Sequence, residues 1–233
     1  MADAGSIDRF LAKARGEQGE RAGARVVSLD ELRAARAVIG EPWGLPALRG
    51  RLVEISARGA SATLTAATGI VLEAQHAAEP AAWITLANAS FYPPDVAASG
   101  VDLSALVVVR VGTVVAAARA AERLLRSGAF GLVVIDWNTT ERESQHMPAA
   151  VQGRLVTLAQ AHDAAVVCLT AKSDDAASLG SLVSLRAAAL RSRERPGARS
   201  AGHDHVVTIR ALKDKRRGPG WSRERAARGP SGL

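Results

Sequence analysis

Short apolar runs alternate with stretches of helical period along most of this chain. Five runs have strand character: Arg51–Ser56 (RLVEIS), Ala82–Leu86 (AWITL), Leu106–Val111 (LVVVRV), Leu132–Asp136 (LVVID) and Ala165–Thr170 (AVVCLT). Each is short, β-branched and nearly continuous in hydrophobicity, as strands covered on both faces are. Between them, Thr63–Ala74 puts Leu64, Ala67, Val71 and Ala74 on one helical stripe. Val114–Arg126 gathers Arg119, Glu122, Arg123 and Arg126 on a polar face, and Val151, Leu155 and Leu158 form a third stripe. Strand alternating with helix predicts an α/β fold, a mainly parallel twisted sheet flanked by helices. Leu182–Ala187 and His205–Leu212 read as further strands at the sheet edge.

Three regions follow from this pattern. Residues 1–42 form a helical arm, with a small apolar patch of Ile7, Phe10 and Leu11, a polar stretch Gly16–Gly23, and capping-box spacing from Ser28 to Glu31. Residues 43–211 form the core domain. From 212 to 233 the chain is basic and rich in Gly and Pro, and is expected to be a flexible, poorly ordered tail.

Composition sharpens the picture at a few points. In a chain of 233 residues, 48% apolar content supports a sizeable core and excludes global disorder. A single cysteine, Cys168, excludes a disulfide scaffold and a Cys-based zinc site, and its place in an apolar run makes it a core residue. No apolar run approaches the roughly 20 residues that span a bilayer, so a reducing, cytoplasmic setting without membrane contact is expected. The net charge of +7 is unevenly spread: residues 191–233 carry 12 Lys and Arg against 4 Asp and Glu, leaving 18 against 19 in the rest. A neutral body with a basic appendage is the pattern of an interaction tail.

The chemistry expected of such a sheet is hard to find. The first strand leads through Ala57-Arg58-Gly59-Ala60-Ser61-Ala62-Thr63 into a helix, the place of a phosphate-cradling loop. The chain has four lysines, Lys13, Lys172, Lys213 and Lys215, and none follows a glycine. Leu64 stands where a Mg²⁺-ligating hydroxyl is wanted, and Thr65 is one residue late. His203 and His205 around Asp204, and Glu141, Glu143 and His146 after the fourth strand, read as solvated segments. Ser61 has no partner base.

Residues in order along the chain then resemble the RecA recombinases. Gly44-Leu45-Pro46 followed by Gly50-Arg51-Leu52-Val53-Glu54-Ile55 looks like the start of their core. Gly100-Val101-Asp102-Leu103, Arg126-Ser127-Gly128-Ala129 and Leu132–Asp136 look like the same fold further along. Val183-Ser184-Leu185-Arg186 resembles a late strand, and Lys213-Asp214-Lys215 a Lys-x-Lys hairpin facing a neighbouring subunit. The resemblance covers about residues 43–220 and implies a RecA-like core. The departures from it are specific. The phosphate-loop Gly-Lys pair is Ala62-Thr63, the water-activating Glu is Ala87, and the nucleotide-sensing Gln falls at about Ala171. Asp136 alone survives, and one carboxylate without those partners does not organise phosphoryl transfer.

A RecA-like body with a degenerate nucleotide site and a basic tail resembles the ImuA family of bacterial mutagenesis cassettes, with SulA-like division inhibitors, which bind FtsZ, as the alternative. The ImuA resemblance implies a non-catalytic accessory protein of translesion synthesis, without cofactor or metal, nucleoid-associated under DNA damage. Its implied partners are an inactive Y-family polymerase homologue, RecA and an error-prone DnaE-type polymerase. Ile7, Phe10 and Leu11 either pack intramolecularly or dock on RecA or a second copy of the chain. In the tail, Lys213, Lys215, Arg216, Arg217, Arg223, Arg225 and Arg228 surround Trp221. The group suits an acidic protein partner with Trp221 as anchor, a weak DNA contact with Trp221 stacked on a base, or simple solubility.

Overall fold

The computed structural model describes residues 40–87, 91–137, 147–193 and 204–228. The chain divides into two compact units, Met1–Gly40 and Glu41–Leu233, and every element described belongs to the second. Ile7, Phe10, Leu11 and the capping box lie outside the described residues, as do Glu141, Glu143, His146 and His203.

A short helix α1 (Leu45–Leu48), with Pro46 in its first turn, leads into β1 (Arg51–Ser56). Then follow α2 (Thr63–His76), β2 (Ala81–Leu86), α3 (Pro93–Ala98), β3 (Leu106–Val111), α4 (Val114–Arg126), β4 (Leu132–Asp136), α5 (Ala149–Ala161), β5 (Ala165–Thr170), β6 (Leu185–Arg193), β7 (Asp204–Asp214) and β8 (Ser222–Arg228). The eight strands form one sheet in the order β3-β2-β4-β5-β1-β6-β7-β8. The pairs from β3 to β6 are parallel, and β7 and β8 add on antiparallel.

The apolar runs form central strands because both faces are covered. Along β4, Leu132 and Val134 join the core under α2, while Val133 and Ile135 join the core under α4 and α5. The same alternation sends Val167 and Leu169 of β5 one way and Val166 and Cys168 the other. Helix α4 starts on the Thr113 hydroxyl, which accepts the Ala116 N–H at 3.1 Å, and ends before Gly128 at φ +69°. A side chain at Gly128 would meet the His162 ring at 3.0 Å.

Two expectations need correction. The late strand begins at Leu185 and extends to Arg193, because Leu182–Ser184 are held in the preceding loop by a Ser184 N–H bond to the Leu52 carbonyl. Among the described residues, the basic segment from 212 to 228 is not a flexible tail. β7 runs on to Asp214, a turn follows, and Ser222–Arg228 pair with Asp204–Arg210 as the last strand of the sheet. Charge and glycines suggested a solvated tail, but Asp214, in the middle of that charge run, is tied to the core and fixes the turn.

The sheet has two unequal edges. β8 carries Arg223, Glu224 and Arg225, the charged side chains that discourage further strand pairing. β3 carries Val107 and Val108, 44% and 37% exposed, with exposed Val115 just beyond it at the start of α4.

Candidate functional site

The strand carboxyl ends are where a sheet of this topology holds ligands. Between Ser56 and Thr63 the chain makes the turn in which a phosphate loop would sit. Gly59, at φ +81°, allows the reversal. A phosphate loop leaves successive backbone N–H groups pointing into a hollow. Here three of those groups, on Ser61, Ala62 and Thr63, are engaged inside the protein. Ser61 N–H donates to the Gly59 carbonyl at 2.7 Å, and Ala62 N–H to the Ala189 carbonyl of β6 at 2.9 Å. Thr63 N–H reaches the Ser61 hydroxyl at 3.4 Å, and the Ala60 carbonyl accepts from Arg191 N–H at 2.9 Å. Ser61 forms a β-bridge with Leu190, so the turn lies as a fragment of strand along β6. Ala62 and Thr63 are buried, the Thr63 hydroxyl 3.1 Å from that of Ser61.

Asp136 is fully buried at the end of β4, in register with Thr85 of β2 and Leu169 of β5. Ala87 and Ala171 follow β2 and β5 with methyl groups only. The strand ends thus hold one buried carboxylate, Asp136, and a turn in which the amides of Ser61, Ala62 and Thr63 are taken by backbone and hydroxyl acceptors.

A charged cluster that sequence reasoning missed lies beside it. Glu54, mid-way along β1, is fully buried and accepts hydrogen bonds from the Thr170 hydroxyl at 2.9 Å and Leu179 N–H at 2.8 Å. Lys172 Nζ lies 3.3 Å from one carboxylate oxygen and Arg186 Nε 3.9 Å from the other. Arg186 also donates to the Ser56 hydroxyl and to the carbonyls of Ser173 and Ala176. Together these fasten the β5–β6 loop over the strand ends. A glutamate inside an apolar strand run was the signal, since a buried carboxylate requires buried cations.

The structure divides the seven basic residues rather than gathering them. The Lys213 ammonium is half-buried, and burial, with Lys215 nearby, lowers its pKa against a smaller opposing effect from Glu54. Lys215 Nζ donates to the Ser181 carbonyl at 2.7 Å. Arg216 donates to the Arg49 carbonyl at 3.2 Å, and Arg217 to that of Glu41 at 3.4 Å. Arg223 pairs with Glu41, while Arg225 is exposed on β8 and Arg228 closes that strand. Trp221 is not a free anchor. Its ring leans on Trp43 with centroids 6.5 Å apart, and its indole N–H donates to Asp214 at 3.0 Å. Asp214 in turn pairs with buried Arg51 at 2.6 Å. Cys168 is buried as expected, and burial pushes its thiol pKa well up. His205 is half-buried in β7, and no cluster of metal-ligating side chains occurs among the described residues.

A family model of the RecA N-terminal domain matches residues 22–162, from before β1 to the end of α5. The chain belongs to the RecA family. It is 44% identical over 94 residues to Protein RecA of Kineococcus radiotolerans, across 40% of this chain and 26% of that protein. With Protein RecA of Rubrobacter xylanophilus the identity is 37% over 118 residues, 51% of this chain and 33% of the relative. The chain therefore spans about a quarter to a third of the length of these RecA proteins. Among solved structures, that of the RadB recombinase superposes with a TM-score of 0.56 at 16% identity, covering 76% of this chain and 87% of RadB, which shows the shared fold. No helix among the described residues is long and apolar enough to cross a membrane.

Proposed function

We propose that this RecA-family chain is a non-catalytic accessory protein of DNA-damage-induced translesion synthesis, similar to the ImuA family, and that it acts by protein contact. Its proposed partners are an inactive Y-family polymerase homologue and RecA, with an error-prone DnaE-type polymerase in the same assembly. The observation that carries the reading is the β1–α2 turn. Ala62-Thr63 stands where the Gly-Lys pair would be, and the amides of Ser61, Ala62 and Thr63 are engaged internally. Phosphoryl transfer depends on positioned cations and amides around the phosphates, and Asp136 without them has nothing to orient. The apolar β3 edge supports the other half of the reading, a surface suited to a partner's extended segment. The test is ATP hydrolysis by the purified full chain with Mg²⁺, with and without single-stranded DNA. Phosphate release equal to that of Asp136→Ala is expected. DNA-stimulated hydrolysis that vanishes in Asp136→Ala would overturn the proposal.

A further inference from the structure

From the β1–α2 turn a groove of about 940 Å³ runs along the outer face of α2. Its floor is Leu64, Thr65, Gly69 and Leu72. One wall is α3 with exposed Tyr92, and the other is the sheet from β6 to β8. Strand alternation decides what that second wall presents. Trp221 and Ala227 pack into the core under α2, so Arg223 and Arg225 of β8 face the same way. Arg191 of β6 opposes Val207, and Val207 opposes Arg225. The two arginines therefore flank one buried valine, two strand spacings or about 10 Å apart. Arg58 joins them from the turn.

Charge selects the occupant. Four arginines (58, 191, 223 and 225) and four carboxylates (Glu41, Glu73, Asp95 and Glu224) line the groove, so its net charge is zero. A uniformly anionic nucleic-acid strand gains little from such a surface, because its affinity rests on net cation excess. The distribution is nonetheless one-sided. Arg223 pairs with Glu41, Glu73 accepts Leu45 N–H and Arg58 is in electrostatic reach of Asp175, whereas Arg191 and Arg225 make no ion pair among the described residues. Of the two carboxylates equally without one, Asp95 sits on the α3 wall and Glu224 alternates to the other face of β8. The sheet wall is left cationic and the floor largely apolar, with the Arg225 guanidinium lying over Gly69.

The geometry points to an amphipathic segment of a protein partner in this groove, its apolar side chains on Leu64, Leu72 and Tyr92 and its acidic face against Arg58, Arg191 and Arg225. The inference uses none of the β3 edge and stands or falls apart from the proposed function.

The test is selection from a phage-displayed random peptide library on the full chain, followed by fluorescence anisotropy of the best synthetic peptide. Oligo(dT) and ATP serve as competing probes. Enriched peptides are expected to combine acidic and apolar residues. Their affinity should fall roughly tenfold or more in R191E/R225E and return when the peptide's acids are changed to lysine. Because both arginines are exposed, the variant should melt with the wild type. Peptides bound without dependence on these arginines, failure to enrich any acidic peptide, or oligo(dT) or ATP binding with that dependence would each overturn the inference.

Discussion

At the scale of single residues, the groups that fix this molecule are charges placed where apolar residues are the norm. Glu54→Gln keeps the shape of the side chain but leaves Lys172 and Arg186 without their counter-charge. Breaking a buried pair in this way costs about 3–5 kcal/mol, so chemical denaturation should show a loss of that order. Lys172→Met at the cluster's more open side should cost less. Asp214 offers a pH-resolved check. Burial alone would raise its pKa, but Arg216 N–H, the Trp221 indole N–H and the Arg51 guanidinium outweigh this and hold it below the ordinary carboxylate value. A carboxylate depressed in the folded state stabilises fully above its unfolded pKa, about 3.9, and that stability fades as pH falls through the lower folded value. Unfolding midpoints should therefore drop below about pH 4, and Asp214→Asn should flatten that limb while lowering stability at neutral pH. Cys168 should resist a thiol reagent such as DTNB in the native protein and react on unfolding, because a buried thiol with a raised pKa supplies almost no thiolate.

At the scale of elements, the central strands and α4 were legible because one physical signal dominated each. Two-sided burial gave continuous apolar runs, and helix α4 kept a clear division between Arg119, Arg123 and Arg126 and buried Ala117, Ala121 and Leu125. The place of the β1–α2 turn was legible too, since an apolar strand run passing into a helical stripe can be read directly. β6 blurred because Ala187, Ala188 and Ala189 have weak strand preference and gain it only between β1 and β7. The β7–β8 hairpin was hidden for a different reason. Its turn is tied to the core by Arg51, more than 160 positions earlier in the chain, pairing with Asp214, and no local pattern carries that contact. A flexible tail and a structural hairpin make opposite predictions. Ending the chain at residue 211 removes β8 and leaves Arg51 buried without its acid, uncovering Val207 and Ile209. The truncated protein should melt several degrees lower or aggregate, as read by thermal scanning and light scattering, whereas loss of a solvated tail would leave the melting curve unchanged.

At the scale of the whole molecule, the two edges of the sheet differ in charge and in apolar exposure. β8 is closed to further pairing by Arg223, Glu224 and Arg225, so strand addition there is opposed by charge and by the side chains' hydration. β3 has Arg110 as its one charged residue, and its Val107 and Val108 are exposed on alternate faces of the edge. If partner contact takes place at β3, replacing Val107 and Val108 with lysine should weaken recovery of RecA or the Y-family homologue from DNA-damaged cells by roughly tenfold or more. The folded state should be little changed, since neither side chain is fully buried. The same substitutions should leave peptide binding in the α2 groove intact, and R191E/R225E should leave RecA recovery intact. Loss of both activities in either variant would mean that the two surfaces are one. Unchanged recovery in the valine variant would move the contact away from the β3 edge, to the groove or to the unit formed by residues 1–40.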